Sequence, residues 1–129
     1  TYKNQQGLYN RTRDTRGLAV AEKLSARPGH SEHQLGLAAD FSAKGQGCVI
    51  MVCFGKTEAG IWLAENAHEF GFVLRYPKGY KSITGFQYEP WHFRYVGVEL
   101  ATEMKTKGIK TLEEFWGLPS APDYTEPAG

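Results

Sequence analysis

The sequence predicts an α+β domain, a small mixed sheet flanked by helices. Three observations carry this expectation. Residues 57–70 place small and apolar side chains at helical spacing. Residues 72–76 and 92–96 are short runs rich in aromatic and branched residues, too short for helices and bounded by proline or glycine. Helical patterning then returns on either side, in 2–26 and from Val98 onward.

Residues 2–26 are helix-compatible, with Leu18, Ala21 and Leu24 on one face and Gly7 and Gly17 as weak points. Arg27-Pro28-Gly29 ends that pattern. Residues 37–41 read as a short strand containing Asp40, followed by a loop over 42–47. In the helix over 57–70, Thr57 is the N-cap and Glu58 suits the positive end of the helix. Gly60, Leu63, Ala64, Ala67 and Phe70 form its stripe, and Gly71 its C-terminal stop. The strand over 72–76 is stopped by Pro77, and 78–85 is a polar loop. After the strand over 92–96, Val98, Ala101 and Met104 mark a helix ending at Gly108, and Thr111 with Glu114 forms a capping box. The expected domain is 1–118, with 119–129 as a flexible proline-rich tail.

The 129 residues suffice for one domain with its own core. The chain has a hydrophobic share of 41%, a charged share of 22% and a net charge of +1. These values are ordinary for a globular protein and give no reason to expect a nucleic-acid partner. No apolar run approaches the roughly 20 residues of a transmembrane helix. The chain opens on Thr1-Tyr2-Lys3 with neither an initiator methionine nor a signal-like segment, which suggests a trimmed chain. Cys48 and Cys53 leave three readings open: buried thiols on an apolar strand through 49–52, a small-loop disulfide, or a functional thiol.

The chemistry concentrates in two segments, Ser31 to Asp40 and Glu89-Pro90-Trp91-His92. His33 and Asp40 are seven apart, and Gly36 between them permits a sharp turn. Pro90 biases Glu89 toward an extended conformation, Trp91 would shield the site, and His92 offers a third donor. Three protein ligands leave one position open on a tetrahedral zinc, which is what distinguishes a catalytic from a structural site. Glu89 is then placed to act as general base. Taken singly, each of these residues has a bland explanation: a surface histidine, a solvated carboxylate, a packed strand histidine.

The pattern Ser31-x-His33-x-x-Gly36-x-Ala38-x-Asp40 followed by Glu89-Pro90-Trp91-His92 resembles the bacterial zinc D-Ala-D-Ala carboxypeptidases. The vancomycin-resistance D,D-carboxypeptidases and the related L,D-carboxypeptidases are the nearest group. The resemblance runs from about Tyr2 to Trp116 and includes 26–34, 72–77 and 93–97. It implies zinc held by His33, Asp40 and His92, catalysis by Glu89, the fold shared with the hedgehog signalling domain, and a disulfide between Cys48 and Cys53. It implies a peptidoglycan stem peptide as substrate and an extracytoplasmic location; the chain is expected to be a monomer. It also places Gln5 at the substrate site. The family's Ser-Gly-Tyr-Arg segment would fall just before Thr1. A chain lacking that arginine is expected to turn over slowly, because one oxyanion donor is worth on the order of 100- to 1000-fold in rate.

Other candidates weigh less. Arg75 and Arg94 suit a substrate carboxylate, with structural ion pairing as the alternative. Ser31 would bond substrate or cap a turn. His30 would point away from His33, His68 would sit at the surface, and the loop 78–85 would rim the cleft. The leading expectation is a zinc D,D-carboxypeptidase. Its rivals are an L,D-carboxypeptidase, a cell-wall endopeptidase, and a zinc-stabilised binding module without catalysis.

Overall fold

The computed structural model describes residues 1–18, 21 and 26–121. They fall into two compact units, one built on Thr1–Leu37 and one on Ala38–Asp123.

In the first unit, helix α1 spans Tyr2–Arg16. Thr1 caps it, its hydroxyl accepting from the Asn4 N–H at 3.3 Å. Such a cap satisfies one of the amides that a helix start leaves without a partner, and Gly17 stops the helix at its other end. Tyr9 is the buried residue of the helix. Helix α1 thus breaks at the second of the two glycine weak points, and Leu18 and Ala21 beyond it are again helical, the Ala21 N–H donating to the Gly17 carbonyl at 3.1 Å. Of the expected stripe, Ala21 is fully buried and Leu18 half-exposed, while Leu24 lies outside the described residues. A 3-10 turn, Glu32–Leu35, closes on Gly36 in the left-handed conformation (φ 72°), as expected of the turn glycine between His33 and Asp40.

The second unit is a three-stranded sheet with helices. Strands β1 (Ala38–Asp40), β2 (Phe72–Leu74) and β3 (His92–Tyr95) are ordered β1-β3-β2, and both pairings are antiparallel. The α+β class therefore holds, with the described sheet antiparallel throughout. Helix α2 (Glu58–Asn66) continues as a 3-10 turn over Ala67–Phe70 and stops at Gly71. Its cap is the expected one: the Thr57 hydroxyl accepts from the Gly60 N–H at 3.1 Å. A short helix, α3 (Lys81–Thr84), lies in the loop read as polar and irregular. Helix α4 (Val98–Lys107) ends at Gly108, and α5 (Leu112–Trp116) opens on the predicted capping box of Thr111 and Glu114.

The two faces of the sheet differ. Phe41, Phe72, Phe93 and Tyr95 share one face. Phe41 is edge-on to Phe93, with ring centres 5.5 Å apart, and Phe72 is edge-on to Tyr95 at 5.3 Å. Edge-to-face packing of this kind sets the positive rim of one ring against the negative face of the next. Phe93 is fully buried there. Asp40, His92 and Arg94 emerge on the opposite face, because successive strand residues alternate. Phe54, Ala67, Ala101, Met104 and Leu112 complete the core.

The segment 49–52 forms no strand. Cys48 and Cys53 are disulfide-bonded with their Cα atoms 5.5 Å apart. Five residues of strand would span about 16 Å, so the bond and a strand exclude each other. Val49, Ile50, Met51 and Val52 are instead exposed at the tip of the closed loop. Of the expected tail, 122–129 lie outside the described residues, and the Ala121 N–H donates to the Ile83 carbonyl at 2.8 Å.

Candidate metal centre

Strand register brings Asp40 and His92 together. They are directly opposite across β1 and β3. The neighbouring pair is joined by the Phe41 N–H donating to the Trp91 carbonyl at 2.9 Å. Hydrogen-bonded and non-bonded pairs alternate along an antiparallel ladder, so Asp40 and His92 form a non-bonded pair, the kind whose side chains approach most closely. His92 Nδ1 lies 3.5 Å from Asp40 Oδ1 and 3.5 Å from Glu89 Oε2. Two ligands on a tetrahedral zinc, each at about 2.0–2.1 Å, are themselves about 3.3 Å apart. The Asp40–His92 spacing is long for a direct hydrogen bond and is compatible with a shared ion.

His92 is held from several sides. Its side chain is 7% exposed. Its N–H donates to the Glu89 carbonyl (3.1 Å), and its carbonyl accepts from the Arg75 N–H (3.1 Å). The ring of Tyr76 sits 4.9 Å from the imidazole and stacks at 4.4 Å on Phe86. The Glu89 N–H donates to the Tyr76 carbonyl at 3.1 Å, which ties Glu89 to the same tyrosine. Burial raises the pKa of Tyr88, the residue before Glu89, because its ionised form would lose hydration.

His33 sits in the 3-10 turn, its carbonyl accepting from the Gly36 N–H at 3.2 Å. One candidate ligand atom from each of His33, Asp40 and His92 lies within 4.8 Å of the other two. Two imidazoles and a carboxylate are a donor set that suits zinc, and three protein ligands leave a coordination position for a water or substrate.

The remaining sequence candidates are placed as follows. Gln5 Nε2 donates to the Ala26 carbonyl at 2.6 Å. Ser31 precedes the 3-10 turn with its carbonyl, not its hydroxyl, accepting from the Gln34 N–H. Trp91 is half-buried, and its carbonyl ties β3 to Phe41. His30 is exposed, and the Gly29 N–H beside it donates to Gln34 Oε1. Arg75 makes a bidentate pair with Glu113, at 2.9 and 2.7 Å, and its guanidinium lies 4.9 Å from the Tyr76 ring centre. Its fork thus holds a carboxylate of the chain itself. Sequence reasoning did not single out Tyr76 or Glu113. An aromatic residue between Arg75 and Pro77 was the only signal for Tyr76, and Glu113 carried none beyond its place in the capping segment.

A family model described as VanY: D-alanyl-D-alanine carboxypeptidase matches residues 1–98. The putative carboxypeptidase YodJ of Bacillus subtilis is 40% identical over 116 residues, which are 90% of this chain and 42% of that protein. The chain thus spans less than half the length of this curated relative. The LdcB LD-carboxypeptidase superposes with a TM-score of 0.82 at 38% identity, covering 93% of this chain and 56% of that one. The vancomycin-resistance D,D-pentapeptidase VanY, solved in complex with Zn(II), gives a TM-score of 0.73 at 40% identity, covering 90% and 66%. The fold is therefore shared with these enzymes, and the chain belongs to the VanY D-alanyl-D-alanine carboxypeptidase family.

Proposed function

We propose that residues 1–118 act as a zinc D,D-carboxypeptidase domain that removes the C-terminal D-alanine from peptidoglycan stem peptides on the outer side of the cytoplasmic membrane. His33, Asp40 and His92 would hold the metal, and Glu89 would move the proton. A zinc ion bound there supplies Lewis acidity, acidifying a water toward a pKa of about 7 and polarising the scissile carbonyl. Glu89 accepts the proton of the attacking water and returns it to the departing D-alanine amine. Tyr76 and the Arg75 backbone keep the His92 ring oriented, and Trp91 limits water around the reacting bond. Gln5 and Ser31 would contact the peptide.

The observation that carries this reading is the position of Glu89, whose carboxylate lies 3.5 Å from the same His92 nitrogen that faces Asp40. A carboxylate so close to the candidate ligands is within reach of a water held at the metal, as a general base needs to be.

Glu89→Gln tests this. Zinc stoichiometry should stay at one per chain, while release of D-alanine from a muramyl pentapeptide, followed by mass spectrometry, should fall by about 100- to 10,000-fold. Unchanged hydrolysis in that variant would refute the mechanism. A second reading, L,D-carboxypeptidase action on the tetrapeptide, is favoured by the LdcB likeness, whose TM-score exceeds that of VanY. Alanine loss from the tetrapeptide alone would put that reading first.

A further inference from the structure

We infer that the second unit carries another ligand site, for an amphipathic anion, at the free edge of β2. In the order β1-β3-β2, this edge lies on the far side of the sheet from Asp40. The Val96 N–H donates to the Gly71 carbonyl and the Arg75 N–H to the His92 carbonyl, so the odd-numbered residues of this stretch pair with β3. Phe72 and Leu74 therefore turn their own N–H and C=O groups away from β3.

A cavity of about 330 Å³ borders this edge, with Phe72, Leu74 and Met104 among its apolar lining. That is room for about eleven water-sized groups, at the small end of the range for ligand pockets. Its charged lining is one-sided. Lys78, Lys105 and Lys110 surround it together with His68, and among the described residues no aspartate or glutamate does. The chain as a whole is nearly balanced, with 15 basic and 14 acidic residues. Among the described residues, none of these three ammonium groups is engaged in an ion pair, although Lys107 on the same helix as Lys105 pairs with Glu103.

Three exposed like charges around an apolar hollow repel one another, and a single anionic head relieves that repulsion while an apolar body fills the hollow. Neither feature alone selects a ligand. Together they select an apolar group of about ten heavy atoms bearing one carboxylate or phosphate.

The test is a titration of the isotope-labelled, zinc-loaded full chain with decanoate below its micelle-forming concentration, read by amide NMR. Saturable shifts are expected at Phe72, Leu74, Met104 and Lys105. The triple variant Lys78→Gln/Lys105→Gln/Lys110→Gln, altered only at surface lysines, should bind at least tenfold more weakly. So should Ala64→Phe, which fills the cavity, and decanol should bind wild type at least tenfold more weakly than decanoate. Shifts confined to His33, Asp40 and His92 would mean that the carboxylate simply ligates zinc, and would overturn the proposal. Equal binding of decanol, or full affinity in the triple variant, would overturn it as well by showing a hollow indifferent to charge.

Discussion

Segments 86–92 and 42–56 both run through the second unit with little regular structure, yet they are secured in opposite ways. In 86–92, order comes from many partners. Phe86 stacks on Tyr76, the Glu89 and His92 amides are both hydrogen-bonded, and Pro90 is buried. In 42–56, order comes chiefly from one covalent bond, a 3-10 turn over Val52–Lys56 and one buried side chain. The Cys48–Cys53 disulfide closes the loop and Phe54 is fully buried, while the four residues at the tip are 54–60% exposed. The segments meet at Gly55, where a Cβ would run into the Tyr88 hydroxyl and crowd Pro90. A distributed set of contacts holds a geometry, whereas a closed loop mainly restricts the unfolded chain. The segment bearing Glu89 and His92 has the first kind of support, as an arrangement tuned to fractions of an ångström requires.

The Arg75–Glu113 pair gives the largest expected effect on stability. Its side chains are 12% and 10% exposed, so losing either partner strands a largely buried charge. Arg75→Met or Glu113→Gln should each cost about 3–5 kcal/mol in urea denaturation. The apolar double variant Arg75→Met/Glu113→Leu should recover most of that loss, because neither charge then remains unpaired. Since the Arg75 N–H also bonds the His92 carbonyl, the single variants should weaken zinc binding as well. Intact zinc affinity in a destabilised Arg75→Met chain would show that the backbone alone positions His92.

The stapled segment should respond differently. A six-residue closed loop is worth about 2 kcal/mol on the chain-entropy estimate. Cys48→Ser/Cys53→Ser should lower the unfolding free energy by that amount and leave zinc stoichiometry at one per chain. If zinc is lost instead, the contact of Gly55 with Tyr88 and Pro90 transmits order between the two segments, and their independence fails.

Much of this was legible in the sequence where the cause is local. The caps at Thr57 and Thr111 and the stops at Gly71 and Gly108 follow from side chains within three or four residues of the backbone they serve. The donor trio was legible because its chemistry is packed into two short motifs. Long-range geometry was not. Arg75 read as a candidate for a substrate carboxylate because its partner Glu113 lies 38 residues away, and nothing near Arg75 announces it. The apolar run 49–52 admitted a strand because hydrophobicity records a tendency to be buried, while the closed loop that leaves it exposed depends on which cysteine reaches which. Helix α3 was hidden by its length, since four residues are too few to show a period.

The smallest expected effect isolates strain within the stapled loop. Ile50 has φ 50°, a left-handed conformation that a β-branched side chain tolerates poorly. It is also 54% exposed, so its side chain returns little burial energy for that conformation. Relief of the left-handed penalty is worth about 1–2 kcal/mol, and the greater unfolded-state freedom of glycine takes back roughly 0.5–1 kcal/mol. The disulfide lessens that second term, because it already limits the freedom of the unfolded loop. Ile50→Gly should therefore be stabilising by up to about 1 kcal/mol, visible as a higher midpoint in urea, and should do so only while the disulfide is intact. A loss of stability would mean that the exposed tip is held by its side chains after all, and the contrast with 86–92 would narrow to one of degree.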